Sequence, residues 1–465
     1  MPLFTYRSLD ELREAIAREG VSIAAADDVV ALAAPVRIGP LVAANRMAVH
    51  PMEGCDGNLD GTPGELTFRR WRRFAAGGAA VLWGEATAIV PEGRANPRQL
   101  LLTRETAPEV RRLLAEAREA RRARFGSADG FVAGVQLTHS GRWSHPSPII
   151  AQHGAVIDAV KGCEAQPLLT DGDLERLEDA FVDAAGLARE IGFDFVDIKQ
   201  CHTYLLNELL GSRTRDGAYG GDFEGRTRFV RNVFGKVRAR YGDDVVLATR
   251  LNVFDGVPFR AGADGRGEPV AVERPYRHAW GVDEGEPATP ALAEPLRLIG
   301  ELRGLGLAMV NVTMGSPYYN PHIGRPFEKP PVDGYRPPEH PLVGVERHMR
   351  LTAEVQRAFP ELPVIGTGYS WLRHYAPHAG AANVGEGAVT LMGLGRGALA
   401  YPDFAADVLE RGAMEPNKSC IGVSYCTALM RAKHNDMGQY ATGCVPRDRL
   451  YAESLKAARR TEGWR

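Results

Sequence analysis

The chain has 465 residues, of which 44% are hydrophobic and 25% are charged, and its net charge at pH 7 is −2. This balance is ordinary for a globular protein, and it lacks the clustered positive charge on which nucleic-acid binding depends. No run of about 18 uncharged apolar residues occurs, so we expect no membrane span.

The N-terminus and the cysteine content both favour a cytoplasmic protein. The opening MPLFTYRSLDELREAIAREG has no basic start followed by an apolar core, so we expect no secretory signal. Ser8 followed by Glu11 instead predicts a capped helix. Six cysteines are too few for a disulfide scaffold in a chain of this length, and they fit a reducing compartment.

Short β-type runs alternate with helical stretches, which is the pattern of parallel β–α units. Eight such runs are found, at residues 46–52, 79–86, 131–139, 195–199, 245–252, 308–314, 363–368 and 388–395. Eight is the number that closes a (β/α)8 TIM barrel, an α/β fold. An open doubly wound sheet is the competing fold, but no GxGxxG follows the first run to support it.

Helices are predicted between these runs at 170–192, 228–242 and 295–306, from apolar residues at helical spacing. The arginine-rich RRWRRF at 69–74 is interpreted as a solvated helix face rather than a phosphate-binding patch. We expect three parts: an N-terminal helical lead-in (1–35), the barrel (36–405) and a C-terminal extension packed on the barrel (406–465).

Two long irregular stretches, 253–290 and 315–345, each follow a predicted strand. Loops longer than about 15 residues in a compact domain are usually functional or disordered. We therefore interpret both as walls or lids over a site, with a solvated excursion or an oligomer contact as the alternative for 260–290.

Polar residues stand where nearly every predicted strand ends, and in a barrel these ends meet at the face where catalytic groups lie. A lone histidine is more often a core residue, so it is the convergence that predicts a site. The set comprises His50, Glu53, Glu85, Gln136, His139, Arg142, Lys199, His202, Arg250, Asn252 and Arg396.

The last two predicted strands end in glycines, at 366–368 and 393–395, and the second set is followed by Arg396. Glycines let backbone N–H groups approach a phosphate, and an arginine holds phosphate oxygens with a forked pair of hydrogen bonds. These residues predict a phosphorylated cofactor or substrate, with a structural glycine-rich turn as the alternative.

Six stretches of the chain are distinctive when taken together: NRMAVHPM (45–52), GGAAVLWGEATAIVPEGR (77–94), VQLTHSGR (135–142), GFDFVDIKQCHTYLLNELL (192–210), RTRDGAYGGDFEGRTRF (213–229) and GLGRGALAYPDF (393–404). They resemble the old yellow enzyme family of FMN-dependent oxidoreductases, in the branch that includes 2,4-dienoyl-CoA reductase and trimethylamine dehydrogenase. They occur in the same order as in that family, across roughly residues 36 to 405.

The resemblance implies a role for each matching residue. The FMN ring is held by Pro51, Met52, Ala86, Gln136 and Arg250, and the phosphate by Gly368, Gly395 and Arg396. Lys199 and His202 hold the substrate's carbonyl oxygen, and Tyr204 is the proton donor. In the implied ping-pong reaction NADH or NADPH reduces FMN, and flavin N5 then passes hydride to an activated alkene: an enone, an unsaturated acid or an enoyl thioester.

Lys199 departs from the family pattern, which has histidine at this place. Its compact positive charge favours an anionic oxygen or a carboxylate over a neutral carbonyl. Because side chains at i and i+2 of a strand share a face, the alternative is that Lys199 pairs with Asp197 and never touches substrate.

The C-terminal cysteines are a second departure. Relatives in this branch hold a 4Fe–4S cluster with four cysteines, but here Val423 stands in the second place, between Cys420 and Cys426, and only Cys444 follows. We therefore predict no intact cluster and no other metal. Residues 406–465 carry no second nucleotide-binding fingerprint, which agrees with that prediction. Cys55 and Cys201 are interpreted as buried, inert thiols.

Three functions compete. The first is the ene-reductase just described, acting on a small molecule. The second is an amine dehydrogenase or N-demethylase, for which Trp83, Tyr318 or Tyr319 would form an aromatic cage around a cation. The third is a non-catalytic flavin-binding assembly protein, and association of the chain with further copies of itself is left open.

Overall fold

Eight parallel strands close into a barrel in a computed structural model that describes residues 3–464. All eight predicted strands form, so the (β/α)8 prediction is confirmed. The strands of the chain are β1 Val36–Ile38, β2 Leu41–Ala43, β3 Met47–Val49, β4 Val81–Ala88, β5 Val132–Thr138, β6 Phe195–Ile198, β7 Leu247–Asn252, β8 Phe259–Ala261, β9 Gly267–Pro269, β10 Leu307–Thr313, β11 Val364–Gly366 and β12 Leu391–Leu394. The barrel contains β3 to β7 and β10 to β12, and β12 pairs with β3 to close it.

Helices surround the barrel and continue past its last strand. They are α1 Leu9–Arg18, α2 Glu65–Ala76, α3 Ala107–Phe125, α4 Ala155–Lys161, α5 Asp171–Ile191, α6 Leu205–Leu210, α7 Phe223–Tyr241, α8 Ala293–Gly304, α9 Pro321–Gly324, α10 Pro341–Ala358, α11 Ala376–Gly385, α12 Arg396–Ala400, α13 Phe404–Arg411, α14 Tyr425–Arg431 and α15 Arg449–Glu462. None of the helices in the described part of the chain combines the length and apolar character that a membrane crossing requires.

The predicted helices form with small shifts at their ends. α5 matches its prediction because Thr170 caps it, accepting a hydrogen bond from the Asp173 N–H at 3.1 Å, and Gly192 ends it with a positive φ of 105°. α7 begins five residues earlier than predicted, since Asp222 caps a first turn whose Glu and Gly gave no apolar signal.

The end of the barrel opposite the carboxyl ends of the strands is filled by apolar side chains. The hairpin β1–β2 covers it, and Val36 and Ile38 pack with Trp83, Phe195 and other inward residues. The Trp83 and Phe195 rings meet edge to face at 4.8 Å between centroids. Removing one such aromatic side chain costs about 3–5 kcal/mol of stability, so this plug anchors the strands that carry the site.

The interpretation of 69–74 as a solvated face is wrong for Arg70. This side chain is buried and forms ion pairs with Asp56 and, at 2.5 Å, with Glu85. Trp71 donates to the same Glu85 at 3.0 Å. Helix α2 packs the side that carries Arg70 and Trp71 onto the barrel. A charge buried in that contact requires partners of opposite sign, which Asp56 and Glu85 supply.

The C-terminal extension packs against the loops that follow β3 and β10. Thr442 donates its backbone N–H to Gly54 O at 2.6 Å, and Arg69 pairs with Asp448 at 2.7 Å. Arg431 donates to Pro317 O at 3.1 Å. The barrel strands lie between residues 47 and 394, within the predicted 36–405, and the boundaries at 35/36 and 405/406 stay predictions.

Candidate active site

One cavity opens at the carboxyl ends of the barrel strands, where the sequence predicted polar residues to converge. It encloses about 1170 Å³ with its open mouth included, which is ample for a nucleotide cofactor. The structure brings together every residue to which the resemblance gave a role, although each role stays a prediction. Its lining includes Pro51, Met52, Ala86, Gln136, Lys199, His202, Tyr204, Arg250, Gly368, Gly395 and Arg396.

Four polar residues at predicted strand ends lie outside this cavity, and protein partners hold them instead. Only inward-pointing residues of a strand face the site, and a register shift between Trp83 and Ala86 turns Glu85 towards α2. Glu85 forms an ion pair with Arg70, and His139 Nδ1 accepts from the Gly141 N–H at 3.1 Å. Arg142 forms ion pairs with Asp158 at 2.5 Å and Glu208 at 2.9 Å. Asn252 donates to Asp255 at 2.6 Å.

Of the two irregular stretches, only 315–345 forms a wall of the cavity, through Pro317, Tyr318 and 324–326. The cavity lining in the described part of the chain includes no residue of 253–290. That stretch instead forms the β8–β9 hairpin, where a Cβ on Gly267 would meet the Tyr335 ring at 2.3 Å. The wall interpretation is therefore wrong for 253–290.

Asp197 forms the floor beneath the site. Its carboxylate accepts hydrogen bonds from Trp83 Nε1 and Gln136 Nε2, both at 2.6 Å, and from the backbone N–H of Arg250 at 2.8 Å. Burial raises the pKa of Asp197 to about 6 in spite of these donors. Asp197 thus orients Gln136 and the backbone of Arg250, and it forms no ion pair with Lys199. The alternative in which Asp197 and Lys199 pair is wrong.

Arg250 extends from β7 into the cavity with its Nε unpartnered. Its side chain is buried, and burial lowers the pKa of the guanidinium from its ordinary value. No carboxylate within residues 3–464 forms an ion pair with it. A buried cation in this state stabilises negative charge on whatever lies beside it.

Two glycines shape the far end of the cavity. Gly368 has φ of 94°, and a Cβ there would lie 2.7 Å from the Cβ of His348. A Cβ on Gly395 would lie 2.9 Å from Met52 Sδ, so the backbone can approach a ligand only without a side chain at this place. This cradle fits the phosphate that the sequence predicted.

Arg325 joins Arg396 at this end, and the sequence gave no signal for it. Arg396 donates to Pro326 O at 2.5 Å and leaves Nη1 unpartnered. Arg325 donates to Thr427 Oγ1 and leaves Nε and Nη2 unpartnered. Burial and the nearby charge of Arg396 lower the pKa of Arg325 to about 10. Two buried guanidinium groups with free donors define an anion site, because each costs several kcal/mol to bury without a counter-charge.

Lys199 and Tyr204 contact each other in the same cavity. The Lys199 ammonium lies 3.5 Å from the centroid of the Tyr204 ring, and Tyr204 Oη lies 3.1 Å from Tyr318 Oη. Burial, and then Tyr318, raises the pKa of Tyr204 well above its ordinary value, so its hydroxyl stays protonated. Burial lowers the pKa of Lys199, and Glu53 and Cys201 oppose that shift.

The backbone that presents these groups is strained. His202 and Thr203 are both non-glycine residues with positive φ, at 64° and 58°, which costs of order 1–3 kcal/mol each. Thr203 is held by Asn207 Oδ1 at 2.6 Å and by Trp143 Nε1 at 2.9 Å. Burial, and then the charge of Arg250, lowers the pKa of His202 well below its ordinary value, so its imidazole is a neutral donor.

Glu53 is the one acidic residue among those that line the cavity in the described structure. Its Oε1 accepts from Asn96 at 2.5 Å. Burial raises the pKa of Glu53 to about 7, although the charge of Lys199 opposes this. Its place after the first predicted strand, beside Met52, was the signal for it in the sequence.

The aromatic residues differ from the cage that the amine hypothesis proposed. Tyr318 does line the cavity, and it stacks on Trp143 at 3.7 Å with an 11° angle between rings. Trp83 lies in the barrel interior below, and Tyr319 faces a separate pocket beside β8. The trio named from the sequence is therefore not a cage.

Three residues of the C-terminal extension, Thr427, Met430 and Arg431, complete the cavity wall. Cys420, Cys426 and Cys444 line a neighbouring small cavity with Val423 in the place of a fourth thiol. Those residues do not fit a 4Fe–4S cluster, which takes four thiolates. Cys55 and Cys201 are buried, and burial raises the pKa of both thiols, Cys201 to about 11, as expected for inert cysteines.

Fold and cavity together define an α/β barrel protein whose cavity joins two arginines and a glycine cradle with a protonated tyrosine. A model of the NADH:flavin oxidoreductase / NADH oxidase family matches residues 31–268, just over half of the chain. The chain therefore belongs to the NADH:flavin oxidoreductase / NADH oxidase family, which confirms the resemblance seen in its sequence.

Two curated relatives illustrate the similarity. The chain is 30% identical over 235 residues to an NADPH dehydrogenase of Geobacillus sp. (strain WCH70), across 49% of this chain and 64% of that protein. It is 28% identical over 227 residues to a 4,4'-dithiodibutanoate disulfide reductase of Rhodococcus erythropolis, across 48% of this chain and 54% of that protein. Both matches span less than two thirds of the relative's length.

Solved structures share the fold. A complex of 2-naphthoyl-CoA reductase with 2-naphthoyl-CoA has a TM-score of 0.65 and 19% identity, covering 91% of this chain and 58% of that one. The old yellow enzyme homologue of Zymomonas mobilis has a TM-score of 0.58 and 19% identity, covering 83% of this chain and 94% of that one. At this identity the likeness describes the barrel alone.

Proposed function

We propose that this protein is an FMN-dependent NAD(P)H oxidoreductase of the ene-reductase type. The observation that carries the proposal is one cavity whose lining joins the unpartnered donors of Arg325 and Arg396 with Lys199, His202 and Tyr204. Membership of the family supports the cofactor and the reductant.

The residues present fit FMN. Arg325 and Arg396 offer unpartnered donors for its phosphate beside the glycine cradle, and Gln136 and Arg250 face the cavity from the barrel interior. The positive charge of Arg250 favours the anionic reduced ring over the neutral one. When bound, FMN supplies the two-electron chemistry that passes hydride from NADH or NADPH to an activated alkene.

Lys199 and His202 would bind the carbonyl oxygen of the substrate. Negative charge develops on that oxygen during the reaction, and fixed donors in a cavity shielded from water stabilise it. Lys199 contributes a full charge, and neutral His202 contributes one N–H. This pair therefore polarises the alkene.

Tyr204 would donate the proton to the α-carbon. Its raised pKa keeps the proton on Oη until a strong base forms on the substrate. Tyr318 Oη, which lies 3.1 Å from Tyr204 Oη, would return a proton to Tyr204 afterwards.

The alternative functions have less support. An amine substrate needs an aromatic face open to a cation, but Lys199 already lies over Tyr204, and Arg431 lies 5.0 Å from the centroid of Tyr318. A non-catalytic flavin carrier gives no reason for burying Lys199 against Tyr204 without an ion-pair partner.

One experiment separates these functions. The purified protein is loaded with FMN, reduced anaerobically with NADH or NADPH, and mixed with 2-cyclohexenone, monomethyl fumarate or crotonyl-CoA. Reoxidation of the flavin by one of these alkenes supports the proposal. Reduction of the flavin by trimethylamine but not by NADH or NADPH would establish amine oxidation. No reduction of the flavin by any of them would favour the non-catalytic flavin-binding protein.

We also propose that the protein acts in the cytoplasm, because all six cysteines are free thiols. Cell fractionation tests this, and recovery outside the cytoplasm would refute it.

A further inference from the structure

A side chamber adjoins the main cavity and shares part of its wall. Glu53, Tyr204, Tyr318, Met430 and Arg431 line both spaces. The chamber encloses about 780 Å³ with its mouth included. It leads from Tyr204 to the protein surface, and none of the proposed steps uses its outer part.

The mouth of this chamber is positively charged. Lys161, at the end of α4, and Lys433, just after α14, are both exposed and line it. Neither ammonium forms an ion pair with a carboxylate in the described part of the chain. Arg431, between them and the main cavity, is paired with Asp333 at 2.7 Å.

Positive charges at the mouth of the chamber repel one another. The pKa of Lys161 is lowered first by burial of its inner part and then by the charges of Lys433 and Arg431. The acidic residues that line the chamber are Asp333, which is paired, and Glu53, which lies at its inner end. Neither of these lining carboxylates pairs with Lys161 or Lys433, and Glu462, outside the lining, accepts from the Lys433 backbone N–H at 2.6 Å and pairs with His434 at 2.9 Å. The mouth therefore presents two exposed ammonium groups that have no ion-pair partner in the described part of the chain.

Aromatic rings connect this charged mouth to the catalytic end. The Lys161 ammonium lies 5.9 Å from the centroid of the Trp143 ring, which stacks on Tyr318. The rings of Tyr318 and Tyr204 lie 6.3 Å apart with a 25° angle between them. Such a path accommodates an elongated molecule with an apolar or planar body and a negative end.

We propose that the substrate carries a negatively charged group, carboxylate or phosphate, that Lys161 and Lys433 bind while its alkene lies against Tyr204. This inference rests on the proposed function and specifies its substrate class. Lys161 and Lys433 are specificity-determining residues that act on binding and take no part in the proton or electron transfer.

The test compares charged and neutral alkenes that share a reacting group. Reduced, FMN-loaded protein is mixed anaerobically with crotonyl-CoA or with the crotonyl thioester of N-acetylcysteamine, and with monomethyl or dimethyl fumarate. The first pair tests a phosphate-bearing substrate, and the second tests a carboxylate.

For at least one pair, the wild type should react faster with the charged member. The double variant Lys161→Gln with Lys433→Gln should lower kcat/KM for that member by about ten- to a hundredfold, which is the loss expected for two charge-assisted hydrogen bonds. Its reaction with the neutral member should change less than about twofold, and the control Lys456→Gln on α15 should leave both unchanged. Added salt should weaken the wild-type preference.

Three results would overturn the inference: no preference for either charged member, an equal loss for charged and neutral members, or a loss confined to reduction by NADPH. The last would assign the lysines to the nicotinamide instead. If the flavin is neither reduced nor reoxidised, the proposed function itself fails. The inference is then decided by the affinity of the oxidised protein for butyryl-CoA and for succinate, measured as dissociation constants. It would be overturned if the lysine double variant bound both compounds as tightly as the wild type.

Discussion

Replacing Lys199 with methionine removes the positive charge of the substrate end with little change in side-chain length. In the structure Lys199 is 5% exposed, its ammonium lies 3.5 Å from the ring centroid of Tyr204, and it forms no ion pair within residues 3–464. If Lys199 holds the substrate's oxygen, the variant loses a donor that acts chiefly in the transition state.

The magnitude follows from two opposing effects. Removing one donor from an oxyanion site lowers the rate by about a hundred- to a thousandfold, or roughly 2.7–4 kcal/mol. The contact with Tyr204 stabilises the folded protein by up to about 2 kcal/mol. Burial of an unpaired charge costs several kcal/mol. We therefore expect Lys199→Met to be as stable as the wild type or more stable, while its reaction with the alkene slows.

The assay follows each half of the reaction separately by anaerobic stopped flow. Reoxidation of the reduced protein by 2-cyclohexenone should slow by about a hundred- to a thousandfold, whereas reduction by NADPH should change less than about threefold. Lys199→Arg keeps the charge and should retain more of the rate. Thermal unfolding should show no loss of stability. Reoxidation within twofold of wild type would refute the role of Lys199.

Four further predictions concern the same cavity. Tyr204→Phe should slow alkene reduction by about a hundred- to ten-thousandfold, while Tyr241→Phe, at the end of α7, should not. Equal rates of Tyr204→Phe and wild type in stopped flow would remove Tyr204 as proton donor. Arg325→Met should weaken FMN binding about ten- to a hundredfold, as fluorescence titration would measure. It should also stabilise the apo protein, as thermal unfolding would measure. Unchanged FMN affinity would contradict the anion site. The pKa of Glu53 is raised from 4.5 to about 7 in the folded chain, so the native state binds the proton more tightly and the apo protein should lose stability between these pH values as pH rises. Urea unfolding should show a larger loss for the wild type than for Glu53→Gln, because Asp197, whose pKa is raised to about 6, contributes its own loss in both. Iron and sulfide analysis of the purified protein should give values near zero, and four irons per chain would show that a cluster forms after all.

The resemblance and the arrangement of the chain explain why so many site residues could be predicted. Parallel strands in a barrel end at one face, so the residues that follow β3, β6, β7, β11 and β12 meet whatever the intervening helices are. Lys199, Arg250 and Gly368 were found for that reason. The side of the strand on which a residue lies also mattered, because Glu85, at a register shift in β4, points away from the cavity and towards α2.

The amino-acid sequence by itself determined the barrel, through eight β-type runs separated by helices, and the set of residues at its carboxyl end. The periodicity of apolar residues and the spacing between β-type runs are local properties of the sequence, so they could be recognised without coordinates. Only the tertiary structure decided that Arg325 faces Arg396, that Lys199 lies over Tyr204 rather than beside Asp197, and that Arg431 closes the wall. These contacts join loops that are far apart in sequence and irregular in conformation, and no periodic pattern encodes where such loops meet.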